Sequence, residues 1–137
     1  EVNVALGGSL YADIHDVPGR MDHRAPKTND PEIQFQKQHM VYLSDNGKMH
    51  QMAGTDTIEV NSLHTQGIDK LATALEIEGI AKDETIEAIS LKDYDGFFFG
   101  VQWHPEYNAA EDPVSRPLFS AFGAAVSEWR AAHRGQL

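Results

Sequence analysis

FFFGVQWHPEY, Phe97 to Tyr107, is the stretch on which the reading of this chain turns. Its first seven residues, FFFGVQW, form a largely apolar run with almost no alternation. A run of that kind belongs to a strand buried on both faces, as in a sheet covered by helices, and points to the α/β class. His104 follows the strand directly, and in open α/β sheets ligands bind beyond the carboxyl ends of strands. Pro105 disfavours helical dihedrals at His104 and keeps the chain extended. Residues two apart in an extended chain point to the same side, so His104 and Glu106 come within hydrogen-bond reach. On a helix the same pair would diverge by about 200°. Two readings stand at this point: a catalytic imidazole oriented by a carboxylate, or a surface histidine beside an unrelated glutamate. The first needs a nucleophile, for which cysteine is the natural candidate. The chain contains no cysteine.

Working outward, Leu75 to Ala81 and Glu84 to Leu91 read as two strands joined through Lys82-Asp83, a hairpin. Lys37 to Leu43 alternates and reads as a strand ended by the turn Ser44-Asp45-Asn46-Gly47. Lys48 to Ala53 fits a helical turn before Gly54, and Ile58 to Val60 a short strand. Met21 to Pro31 is polar, holds two prolines and reads as a surface loop. Asp112-Pro113 is a helix start, an N-cap followed by proline in the first turn. The stripe Leu118, Phe119, Phe122, Val126 and Trp129 then recurs at helical spacing and is expected to pack into the core. At the other end, Val2, Val4, Ala5 and Leu6 stop at Gly7-Gly8, the pattern of a helix C-terminus with a left-handed glycine exit. That helix end lacks a beginning and the first residue is not Met, so the chain is expected to start inside a larger fold.

The 137 residues suffice for one domain with one core, and 41% apolar content fits a globular protein. A formal charge of −10 disfavours nucleic acid and anionic membrane surfaces as partners, since both require a basic footprint. No apolar run approaches the ~18 residues of a membrane span. With no disulfide framework available, a cytoplasmic setting is the expectation. Seven histidines, His15, His23, His39, His50, His64, His104 and His133, are mostly far apart. Without HExxH spacing or a tight His/Asp cluster, no metal site is expected. There is no G-x-S-x-G elbow for a serine nucleophile.

VNSLHTQGID, Val60 to Asp69, leaves a strand and packs small polar residues into a short loop. By composition it reads first as a polar loop bonded to itself. Its backbone N–H groups and small side chains equally suit the carboxylate or ammonium of a substrate.

Taken together, NVALGGSLYADIH, DHR at Asp22 to Arg24, VNSLHTQGIDKLA, FGVQWHPEY and SRPLFSAF resemble the class I glutamine amidotransferase-like family, and more narrowly its gamma-glutamyl-gamma-aminobutyrate hydrolases. The resemblance spans nearly the whole chain. It implies a flavodoxin-like three-layer α/β sandwich, of which residues 1–137 would be the C-terminal portion of a single domain. This portion would supply the strand before His104, antiparallel strands and a closing helix, and would fold poorly alone. The resemblance also places a nucleophilic cysteine upstream of Glu1, on the missing N-terminal half of the same domain. His104 then matches the general base and Glu106 its orienter. Ser62, Leu63, His64 and Thr65 match the wall that holds the glutamyl group, mostly through backbone atoms, with His64 shaping the pocket instead of reacting.

The implied reaction is hydrolysis of a γ-glutamyl amide, a small-molecule substrate, with no cofactor and no metal. The 137-residue chain by itself is expected to be inactive, and a homo-oligomer is compatible with the sequence. Two rivals remain at this stage. One is a glutaminase module that delivers ammonia to a synthetase. The other is a non-catalytic domain that has kept the fold.

Overall fold

A computed structural model describes residues 1–134 of the chain. Five strands form one antiparallel sheet: β2 (His39–Leu43), β3 (Thr57–Val60), β5 (Leu75–Ala81), β6 (Ile86–Leu91) and β7 (Phe99–Val101), in the order β3-β2-β5-β6-β7. A separate two-stranded ribbon pairs β1 (Leu10–Tyr11) with β4 (Gly67–Ile68), Leu10 opposite Ile68. Among the described residues four α-helices accompany them, α1 (Val2–Ala5), α2 (Pro31–Gln34), α3 (Lys48–Ala53) and α4 (Ser115–Ala132), with a short 3-10 turn at Ile14–Asp16.

Two apolar clusters sit on opposite faces of the sheet. One joins Val41, Leu43, Ile58, Val60 and Ala88 to Met49 of α3, Trp103 and Leu118 of α4. The other joins Leu75 and Ile89 to Ile68 of the ribbon and to Ala72. Helices therefore cover one face and the ribbon side covers the other. The β5–β6 hairpin carries a register shift at Gly79. A Cβ there would lie 2.8 Å from Val41 Cγ1, so the strands can approach this closely only with glycine.

Buried Glu78 on β5 ties the sheet to α3. Its Oε2 accepts the Met49 N–H at 2.8 Å and its Oε1 accepts the Ser90 hydroxyl at 2.6 Å. Gly47, the N-cap of α3, has no side chain to cap the helix, and the carboxylate of Glu78 satisfies a first-turn N–H instead.

Several sequence expectations hold. The strands, the hairpin and the α1–Gly7 exit are present, with Gly7 at φ +93°. The start of α4 lies later than read: regular helix begins at Ser115 with Val114 in the N-cap position, and Asp112 accepts the Ser115 N–H at 2.8 Å from the turn before it.

Two further expectations fail. FFFGVQW is not a strand buried on both faces. Only Phe99–Val101 is strand, and all three residues are half-buried because β7 is the edge of the sheet. The lack of alternation has a different cause: Phe97, Phe99 and Val101 lean on the helix-side cluster while Phe98 packs against the other. The stripe on α4 is not core either. Leu118 is buried, but Phe119, Phe122, Val126 and Trp129 are 43–54% exposed. Helical spacing identifies an apolar face; it carries no information on what covers that face. Similarly, α1 buries polar Asn3 instead of its valines. Asn3 donates to the carbonyls of Ser9 and Lys70 and accepts from the Ala72 N–H. No helix among the described residues is long and apolar enough to cross a membrane.

Candidate active site

The chain leaves β7 at Val101 and reaches His104 three residues later, where a turn that takes in Pro105 and Glu106, and not the extended chain expected, brings the two side chains together. The imidazole Nδ1 lies 2.6 Å from Glu106 Oε1. With a carboxylate as acceptor, Nδ1 carries the proton and Nε2 presents its lone pair outward. No group among the described residues bonds Nε2. Partial burial pushes the Glu106 carboxyl up, but the His104 hydrogen bond outweighs it and holds the pKa below the ordinary value. Both side chains remain substantially exposed, at 44% and 63%. The dyad therefore stands at a surface open to an approaching group.

The backbone of His104 is fixed by a residue of the other motif. Asn61 Oδ1 accepts the His104 N–H at 2.8 Å, and Asn61 Nδ2 donates to the His104 carbonyl at 3.1 Å. Asn61 follows β3 directly and is 9% exposed. The two segments singled out in the sequence are thus one unit, joined by a side-chain amide that pairs with a peptide like a short piece of sheet. On the other side, the Phe35 ring meets His104 edge-on at 5.6 Å and stacks on Tyr107 at 4.5 Å. These residues, with Lys37 and Trp103, line an open groove of about 670 Å³.

The four residues assigned to the glutamyl wall fall elsewhere, since none of Ser62 to Thr65 lines this groove. Ser62 is buried and its hydroxyl donates to the His23 carbonyl at 2.9 Å. Leu63 is half-buried and Thr65 exposed, its carbonyl accepting the Ile14 N–H at 2.9 Å. The backbone N–H of His64 donates to the His23 carbonyl at 3.0 Å, and its ring Nδ1 donates to the Gln66 carbonyl at 2.7 Å. Burial lowers the pKa of His64, but Glu87 and the Gln66 carbonyl outweigh it and the net shift is upward. The loop thus packs on the DHR segment through His23. That segment is anchored in turn by Asp83 at the hairpin tip, which accepts from Met21 N–H, His23 Nε2 and the Thr85 hydroxyl. The sequence did not single out the clamping role of Asn61. Its only signal was an amide residue placed directly after a strand.

The Peptidase C26 family model matches residues 1–106. Gamma-glutamyl-gamma-aminobutyrate hydrolase PuuD of Escherichia coli is 35% identical over 123 residues, covering 89% of this chain and 48% of that protein. A Schizosaccharomyces pombe protein named as a glutamine amidotransferase is 37% identical over 121 residues, covering 88% and 45%. The chain therefore spans about half the length of the curated relatives it matches. A Thermoplasma acidophilum crystal structure described as a GMP synthase subunit superposes with a TM-score of 0.64 at 15% identity, over 97% of this chain and 55% of that one. That likeness shows the fold alone, a mixed α/β architecture in which this chain's strands are antiparallel. With the family model reaching from the first helix through the HPE triplet, the chain belongs to the Peptidase C26 family.

Proposed function

We propose that this chain supplies the general base and its orienter for hydrolysis of γ-glutamyl amides such as gamma-glutamyl-gamma-aminobutyrate. The nucleophile would be a cysteine on a stretch of the same domain outside residues 1–137. One observation carries the reading: a 2.6 Å His104–Glu106 bond that leaves Nε2 free at an open surface.

In this scheme Nε2 accepts the thiol proton and the thiolate attacks the γ-carbonyl. Backbone N–H groups stabilise the tetrahedral oxyanion. The imidazolium, stabilised by Glu106, gives its proton to the departing amine and leaves a γ-glutamyl thioester. His104 then takes a proton from water, hydroxide adds to the thioester, and glutamate and the thiol are released. The Asn61 clamp sets where Nε2 points throughout. Ser62, Leu63, His64 and Thr65 enter this scheme as support for Asn61 and as backbone wall, and not through the Ser62 hydroxyl, which is committed to His23.

The test is turnover of γ-glutamyl amides and of glutamine by the full-length protein that carries this chain. His104→Ala is expected to abolish hydrolysis while leaving the fold intact by circular dichroism. The 137-residue chain alone is expected to show no turnover. Activity of either, or a non-cysteine residue at the nucleophile position of an active full-length protein, overturns the reading. The S. pombe relative's name keeps an amidotransferase alternative in view, and ammonia transfer to a co-purifying synthetase would identify it.

A further inference from the structure

Three histidines that the sequence keeps apart converge on one buried carboxylate outside the groove that holds His104. Glu87 on β6 is fully buried, and neither of its oxygens has a hydrogen-bond partner among the described residues. Its Oε1 lies 3.4 Å from His23 Nδ1, 3.5 Å from His39 Nε2 and 3.5 Å from His64 Nε2. His39 Nε2 and His64 Nε2 are likewise buried and without partners. The donor atoms of His23, His64 and Glu87 all lie within 4.8 Å of one another.

Two features of this cluster point beyond ordinary hydrogen bonding. The first is spacing. N–H···O bonds close to about 2.7–3.2 Å, and these contacts stay outside that range. Ligands held at about 2.0–2.1 Å around a tetrahedral metal ion stand about 3.3–3.4 Å from each other, close to the separations seen. The second feature is the opposite edge of each ring. His64 Nδ1 faces the Gln66 carbonyl at 2.7 Å, His39 Nδ1 the Met40 carbonyl at 3.3 Å, and His23 Nε2 the Asp83 carboxylate at 3.0 Å. His39 and His64 each turn a buried, unpartnered ring nitrogen toward Glu87, whereas His23 Nδ1 also lies 3.2 Å from the Ser62 hydroxyl. That arrangement sets nitrogen lone pairs against carboxylate lone pairs, which repel unless a cation lies among them. It is also the outer-sphere pattern that orients metal-bound imidazoles.

We propose that His23, His64 and Glu87, with His39 at the edge of the cluster, form a binding site for one divalent transition-metal ion of the Zn²⁺ class. Imidazole with a single carboxylate suits such ions and suits Mg²⁺ or Ca²⁺ poorly. None of these residues lines the groove beside the dyad, so the ion's role is structural. It joins the DHR segment, the first residue of β2, the NSLHTQ loop and β6. The proposal does not rest on the hydrolase reading, and its test does not use turnover.

The purified full-length protein is stripped with a chelator, then titrated with Zn²⁺ by calorimetry and with Co²⁺ by visible absorption. One ion per chain is expected, with the ligand-field bands of four-coordinate Co²⁺ and a Tm that rises with added Zn²⁺. Glu87→Gln keeps the shape and removes the charge, and is expected to weaken binding by at least about a hundredfold. Should that variant fold poorly, His39→Gln, at the more open edge of the cluster, serves as the second. The wild-type titration stands without either. Absence of binding, a Tm indifferent to Zn²⁺ and chelator, or equal binding by wild type and a folded Glu87→Gln overturns the proposal. Those outcomes would assign the cluster to imidazolium–carboxylate pairs or bridging water.

Discussion

Replacing Asn61 with alanine should separate the position of the catalytic base from its chemistry. The substitution leaves His104 and Glu106 unchanged but removes both hydrogen bonds to the His104 peptide, at 2.8 and 3.1 Å. Asn61 is 9% exposed, so its removal strands an N–H and a carbonyl in a poorly hydrated place. Leaving a buried polar group unpaired costs about 1–3 kcal/mol, so the pair predicts a loss of about 2–6 kcal/mol if the backbone stays put. If the backbone moves to find water, the stability loss shrinks and the cost moves to catalysis, where a ~1 Å misplacement lowers the rate about 100-fold. Asn61→Asp keeps the acceptor for the His104 N–H and loses the donor to its carbonyl, so it should fall between. The assay is steady-state γ-glutamyl amide hydrolysis by the full-length protein, paired with urea melts and with hydrogen exchange at the His104 amide. Faster exchange at that amide together with a fall in kcat is the expected signature. An Asn61→Ala protein with unchanged exchange, undiminished stability and kcat within about threefold of wild type would refute the clamp.

Glu106→Gln should lower kcat about 100-fold or more with little change in substrate affinity, because the amide cannot stabilise the imidazolium; pre-steady-state kinetics separates the two effects. Asp83 has a folded pKa of about 2 against an ordinary 3.8, because the Met21 N–H, His23 and Thr85 outweigh the upward push of burial. A depressed carboxyl pKa contributes stability that is complete above the unfolded value and lost as pH falls through the folded one. Asp83 should therefore account for about 2 kcal/mol that disappears between roughly pH 4 and pH 2, and Asp83→Asn should flatten that part of a stability–pH profile. Glu78→Ala should cost about 2–4 kcal/mol in denaturant melts, since it strips both the α3 first-turn N–H and the Ser90 hydroxyl of their acceptor. Gly79→Ala should cost about 1–3 kcal/mol by forcing Val41 away from β5.

What the sequence made legible was local. The hairpin and the meeting of His104 with Glu106 each depend on residues within a few positions of one another, and they appear as read, although a turn and not an extended chain joins the latter pair. What it hid depended on long-range partners. The apolar face of α4 was plain, but whether Phe122 or Trp129 meets another surface depends on chain far away in sequence. FFFGVQW carried a two-sided signal because its phenylalanines serve both clusters, although its strand lies at an edge. The partnership of Asn61 with His104 spans 43 residues. His23, His39 and His64 show no ligand spacing because two separate loops and the start of β2, far apart in sequence, bring them to Glu87. Ser62 looked like a substrate contact by residue type alone, and only its burial against His23 shows where its hydroxyl goes.

The tip of the β5–β6 hairpin has a consequence for anyone who cuts or tags this protein. Hairpin tips are ordinarily where insertions and protease nicks do least harm. This one, with Lys82 and Glu84 exposed and Glu84 in the left-handed region, resembles such a place from outside. Yet Arg20 donates to the Asp83 carbonyl, and the Asp83 side chain holds Met21 and His23. An epitope spliced between Lys82 and Asp83 would unfasten the polar segment beneath it, and that damage would spread through His23 to Ser62 and the loop that steadies the base.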